Sequence, residues 1–163
     1  MGRWFEIRAL SAALFLAVTP GLAAAEGAQC RDDLAILRTG NQPVSFTVEI
    51  ADSSAERAQG LMGRREMDEG AGMLFIYEHA REVAFWMHDT PLSLDMVFID
   101  PTGEVVKVAA NTTPNDDTPI PSGAPVRYVL EINAGMAARH GIAPGAQLAH
   151  PSVDPALAAF PCE

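Results

Sequence analysis

The stretch AFWMHDTPLSLDM, residues 84–96, concentrates the side chains of this sequence that could do chemistry. Trp86 offers a flat apolar face and an indole N–H: burial beneath the protein's own helix and loop is the first expectation, while stacking on a sugar ring or other flat ligand, or a protein interface, is the alternative. Thr90 adds a hydroxyl, and Asp95 places a carboxylate between Leu94 and Met96. In an extended strand Asp95 shares a face with Val97 and Ile99, so it must be paired or hydrogen-bonded, because an isolated buried charge is very costly. Arg57 and Arg64 flank the GLMG turn at 60–63 and are the natural cations for that role. They would either clamp Asp95 and pin helix to sheet, or leave donors free to grip an anionic or hydroxyl-rich ligand. Glu131, between Leu130 and Ile132, alternates outward with Val129 and Arg127, and Glu56 and Glu131 are candidates for a structural ion pair.

Catalytic and metal chemistry find weaker patterns. No G-x-S-x-G occurs, and Ser93, Ser122 and Ser152 stand without a nucleophile's context. Asp95 with Glu131 could supply an acid and a base for carbohydrate or cell-wall hydrolysis, at a separation that sequence does not give. Met62, Met67, Met73, Met87 and Met96, with the WMH triplet at 86–88, suggest soft copper(I) ligation. Against it, Met87 and His88 point to opposite sides of a regular strand, and methionine at strand positions usually fills core gaps. Asn115, Asp116 and Asp117 lack the regular spacing of a calcium loop. No metal and no cofactor are assigned.

The ends of the chain indicate a compartment. Arg3 and Arg8, an apolar run from Ala9 to Val18, a Pro20-Gly21 break and Ala23-Ala24-Ala25 make residues 1–25 a signal peptide, with residues 26–163 as a single mature domain. The apolar run is too short to cross a bilayer as a helix, so membrane contact is limited to the cleaved leader. Outside the cytoplasm, Cys30 and Cys162 most simply form one disulfide that ties the two ends together. The formal charge is -10, and the leader removes two arginines and one glutamate from it. An acidic chain with scattered arginines and no basic run repels phosphate, which argues against nucleic acid as a partner.

Period and punctuation then place the elements. LAILRTGNQPVSFTVEIA reads as a hairpin around residues 39–41, with Val44, Phe46, Val48 and Ile50 on one face. Ser53 with Glu56 is a capping box opening a two-turn helix that Gly60 ends. Strands follow at 73–78, 83–87, 95–100 and 104–109, the last two joined by the DPTG turn at 100–103. Residues 111–125, with four prolines and no apolar period, form a long irregular loop. VRYVLEI resumes a strand, Asn133 caps a second short helix stopped by Gly141, and a last short strand follows APG. This pattern predicts a mainly β fold, a compact sandwich or barrel-like domain with two short helices.

The segments FTVEIADSSAERAQGLMGRREM, GMLFIYE, FWMHDTPLSLDMVFID and YVLEINAGMAARHGIAPG, in this order and spacing, resemble the domain of unknown function 192 family from about Leu34 to His150. The resemblance implies a mainly β domain, commonly exported in bacteria, and carries no established activity. Positions recurring in that family correspond here to Arg57, Arg64, Trp86, Thr90, Asp95 and Glu131, among others, whereas His88 stands where relatives more often carry lysine. The expectation is therefore an exported, non-catalytic binding or accessory module. Its site would join Trp86, Thr90 and Asp95 to Arg57 and Arg64 under the 111–125 loop, for a small polar or carbohydrate ligand or a protein partner. A hydrolase and a copper(I) protein stand as alternatives.

Overall fold

The computed structural model describes residues 1–2, 28–40 and 42–163; the expected leader, apart from its first two residues, lies outside this range, as does Asn41 of the expected first turn. The fold is mostly β, a curled seven-stranded sheet forming a half-barrel with two short helices. Leu34–Thr39 (β1) and Gln42–Ala51 (β2) make the expected hairpin. Ser54–Gln59 (α1) follows, capped by Ser53 with the reciprocal Glu56 bond and ended at Gly60, whose φ of 47° favours glycine. Ala71–Arg81 (β3) then pairs with β2 in parallel, so the chain between them crosses back over one face of the sheet.

The remaining strands extend the sheet in both directions. Ala84–Phe85 (β4) is shorter than the strand predicted at 83–87 and leaves the main sheet to pair with Ile120–Pro121 (β7). Leu94–Ile99 (β5) and Val105–Ala109 (β6) form the hairpin predicted at DPTG, where Asp100 accepts from the backbone N–H groups of Thr102 and Glu104. Val126–Asn133 (β8) inserts between β3 and β5, and Gln147–Ala149 (β9) pairs with β1. The resulting order is β6-β5-β8-β3-β2-β1-β9, and a Glu104–Gln147 bridge brings the two edges together at one end.

Both faces of the central strands are covered. On one face Leu37, Phe46, Leu74, Val97, Leu130 and Leu148 pack as the larger core. On the other, Phe75, Met96, Phe98 and Val129 lie beneath Leu61, Met87 and their neighbours from the crossover and the tryptophan segment. Gly72 in β3 sits so close to β8 that a Cβ would lie 2.6 Å from the Glu131 carbonyl oxygen. Cys30 and Cys162 form a disulfide, and the backbone of Ala28 and Glu163 pairs alongside it. Closing a loop of this size is worth roughly 4–5 kcal/mol by chain entropy.

Asp95 corrects the expected arginine clamp. It is fully buried on the larger core's face, and no arginine among the described residues reaches it. Its Oδ1 accepts from the Asn111 N–H at 2.8 Å and its Oδ2 from the Ala137 N–H at 2.8 Å. Met136–His140 (α2) begins at Gly135, which has no side chain to cap it, so the strand carboxylate caps the helix instead. Asn133, expected to be that cap, donates its side-chain amide to the Met67 and Asp68 carbonyls. Replacing Asp95 with alanine strands two backbone donors, so Asp95→Ala should cost about 2–4 kcal/mol, read as a lower urea midpoint at unchanged slope.

Candidate functional site

The tryptophan segment is positioned by alternation. Phe85 turns inward, its ring edge-on to Phe75 at 5.0 Å and to Phe98 at 6.0 Å. Met87 also turns inward and is buried, its sulfur accepting from the Thr112 hydroxyl. Trp86 and His88 therefore face outward. Neither of the two described helices covers the indole, which is 51% exposed and stacks on the His88 ring at 5.1 Å and 29°. His88 Nδ1 is 2.7 Å from Asp117, whose hydrogen bond and, after it, charge hold the imidazole pKa above its ordinary value. Thr90 closes the following turn, donating its hydroxyl to the His88 carbonyl at 3.0 Å.

Between this segment and the end of α1 lies a cleft of about 100 Å³. Arg57, Gly60 and Leu61 form one wall and Phe85, Trp86 and Thr90 the other, with Phe75, Tyr77 and Glu131 exposed to it from the sheet. Arg57 is half-buried and held by the carbonyls of Asp52 and Ile76, with its guanidinium carbon 5.0 Å from the centre of the Tyr77 ring. Its Nε and Nη2 have no hydrogen-bond partner among the described residues.

Glu131 is the unexpected member. It lies between Met73 and Met96 on the sheet's second face and is only 4% exposed. No ion pair or hydrogen bond meets its carboxyl among the described residues, and burial alone pushes its pKa up to about 8. The expected outward orientation assumed a wet face on β8. Val129, two residues earlier on the same face, is fully buried, and that apolar residue in the supposedly polar set was the available signal.

Of the five predicted binding residues, Arg57, Trp86 and Thr90 meet at the cleft, whereas Arg64 and Asp95 do not. Arg64 forks to Glu49 with one contact at 2.6 Å, an exposed pair of the kind worth little to stability. The expected ion pair at Glu56 and Glu131 is absent among the described residues, because Glu56 is spent on the α1 capping box. Asp95 and Glu131 lie on opposite faces of one sheet, so they cannot act as paired acid and base. Met87 and His88 likewise point to opposite sides and share no metal position. Residues 111–125 do not roof the cleft; they brace the tryptophan segment from behind, through Asp117 on His88 and the Asp116 carbonyl on the Met87 N–H.

The Glu131 environment gives stability a pH signature. The folded chain keeps this proton until about pH 8, whereas an unfolded carboxyl releases it near its ordinary 4.5. The native state thus binds more protons between those limits, and stability falls as pH rises through that window. Glu131→Gln should match the parent near pH 5 and exceed it by about 3–5 kcal/mol at pH 8.5, in urea titrations across that range.

Comparison with known proteins adds kinship to this geometry. A protein of unknown function from Novosphingobium aromaticivorans DSM 12444 has a similar structure, with a TM-score of 0.69 and 37% identity over 81% of this chain and 93% of that one. A Sinorhizobium meliloti 1021 protein described as a candidate transcription regulator matches with a TM-score of 0.70 and 39% identity, over 76% of this chain and 96% of its own. No curated protein matches. The DUF192 family, described as Uncharacterized ACR, matches residues 35–150, which includes every residue lining the cleft, and the chain belongs to that family.

Proposed function

We propose that this chain is an exported, periplasmic binding module without catalytic activity, which holds a small polar or carbohydrate ligand in the cleft beside Trp86. The observation that carries this reading is that an indole half in water and a carboxyl unpartnered among the described residues line one cleft. A soluble chain gains nothing in stability from either feature, since large exposed apolar rings and unpaired buried acids are both unfavourable. Ligand recognition gives both a use, the ring as a stacking platform and the acid as a hydrogen-bonding group.

Export is supported by the basic and apolar N-terminal sequence together with the Cys30–Cys162 disulfide, which persists in an oxidising compartment. The hydrolase alternative loses its carboxylate pair to the opposite faces of the sheet. The copper alternative loses its ligand set in the same way. The description of the Sinorhizobium relative suggests DNA, but a formal charge of -10 without a basic run does not suit phosphate.

The sequence holds two tryptophans, Trp4 and Trp86, so a chain begun at Glu26 reports from Trp86 alone. Screening sugars, cell-wall fragments and amino acids against that chain should yield a ligand that shifts its emission and raises its melting temperature. Trp86→Ala should abolish the thermal shift while costing less than about 1 kcal/mol of stability, as expected for a surface position. A large loss of stability with ligand binding retained would make the indole a packing residue instead.

A further inference from the structure

The chemistry of the cleft narrows the ligand class, granted that the cleft is the binding site proposed above. Its volume, about 100 Å³, is less than the roughly 150 Å³ that encloses one benzene ring. It therefore takes in a small head group, with the rest of a larger ligand left outside against Trp86. Glu131 presents an unpaired carboxyl at 4% exposure, flanked by Met73 and Met96, which have no charge to offer it. The rings of Phe75, Phe85 and Trp86 line the same space and present the aromatic surfaces to which organic cations are drawn. A lone cation would meet resistance from Arg57, whose guanidinium lines the cleft more than 4.0 Å from any carboxylate of Glu131. Arg57 nevertheless keeps Nε and Nη2 free of partners among the described residues, an edge suited to a carboxylate fork. One cleft thus holds an unsatisfied acid and an unsatisfied base that do not satisfy each other.

We propose that the cleft binds a compact zwitterion of the amino-acid class, its ammonium group against Glu131 and the rings of Phe75, Phe85 and Trp86, and its carboxylate on the free edge of Arg57. Such a ligand engages both protein groups at once, whereas a sugar or a simple amine leaves the Arg57 charge without a counter-ion and a simple acid leaves the Glu131 carboxyl without a partner. Binding requires Glu131 to ionise, so each ligand bound releases a proton as long as Glu131 is protonated in the free protein. The other ionisable groups near it are Arg57 from α1 and Tyr77 from β3, both fixed in charge between pH 6 and 8, and the tryptophan segment adds none on the Glu131 side. His88 stacks on the indole and does not line the cleft.

The test uses the chain from Glu26 to Glu163 with glycine betaine, whose quaternary ammonium cannot titrate, and with L-alanine. Tetramethylammonium and acetate serve as the separated halves. Calorimetry and Trp86 emission should give zwitterion affinities at least tenfold above either half, rising up to tenfold per unit from pH 6 towards 8, with protons released to the buffer. Glu131→Gln should weaken the zwitterions at least tenfold and remove that slope while its melting temperature equals or exceeds the parent's; an undiminished slope in this variant would overturn the assignment. Acetate binding as tightly as the zwitterions, affinity falling with pH, or unchanged binding by Glu131→Gln would each overturn the assignment. A sugar that binds through Trp86 while neither zwitterion does would overturn it and leave the binding-module reading standing. Failure of every compound to perturb Trp86 would overturn both.

Discussion

Two neighbouring strands that run the same way cannot be joined by a tight turn, and this fold is organised around one such pair. From Ala51 at the end of β2 the chain must travel back across the sheet before Ala71 can start β3 alongside it. That return path carries α1 and the GLMG turn over the face that the hairpins alone would leave wet. The sheet consequently has two interiors. In β5, in most of β8 and in the first half of β3, residues are under pressure to be apolar whichever way they point. The cleft exists because the crossover and the tryptophan segment approach the same face from two sides without closing over it.

Within that doubly buried sheet two carboxylates are treated in opposite ways. Asp95 receives two backbone N–H groups that would otherwise have no partner, and so ties Asn111 and the start of α2 to β5. It removes an unsatisfied acceptor and two unsatisfied donors in one arrangement. Glu131, one register step away on β8 and on the other face, receives none. Its longer side chain reaches a space bounded by methionine and aromatic surfaces, where only the neutral form is tolerated at low cost. The fold carries that cost near neutral pH without gaining any internal contact from it. A group kept at the expense of stability, at the back of an opening, belongs to what the protein does more readily than to how it folds.

The sequence made local features readable and long-range ones not. The α1 capping box, its glycine stop and the DPTG hairpin were all legible because donor and acceptor lie within four residues of each other. The alternation of β2 was readable because that strand has one wet face. The same rule misplaced Glu131, since period-two reasoning assumes the polar set faces water, and on β8 neither set does. Asp95 was rightly seen to need partners, but a pattern of side chains cannot point to main-chain donors 16 and 42 residues away. The arginines drew attention because their charges are visible in sequence; their actual acceptors, Glu49 for Arg64 and the Asp52 and Ile76 carbonyls for Arg57, depend on the crossover. Three of five expected binding residues met because they lie on the two segments that the crossover brings together.

Trp86 shows how such a site can be stiff without being buried. An indole half in water would ordinarily sample several rotamers, and fixing it on binding would weaken affinity. Here the indole stacks on His88, which is fixed by Asp117, and the adjoining N–H of Met87 is tied to the Asp116 carbonyl. The proline-rich 111–125 segment therefore acts as a buttress, sharing no surface with the cleft yet setting the angle of its rim. The opposite wall is anchored differently, by the backbone of α1 and by Arg57 gripping the Asp52 and Ile76 carbonyls. Each wall is thus fixed by bonds made outside the opening. Among the residues that line it, Trp86 keeps a half-exposed indole, and Arg57 and Glu131 keep polar atoms without partners among the described residues, which is the condition for a pre-formed binding site.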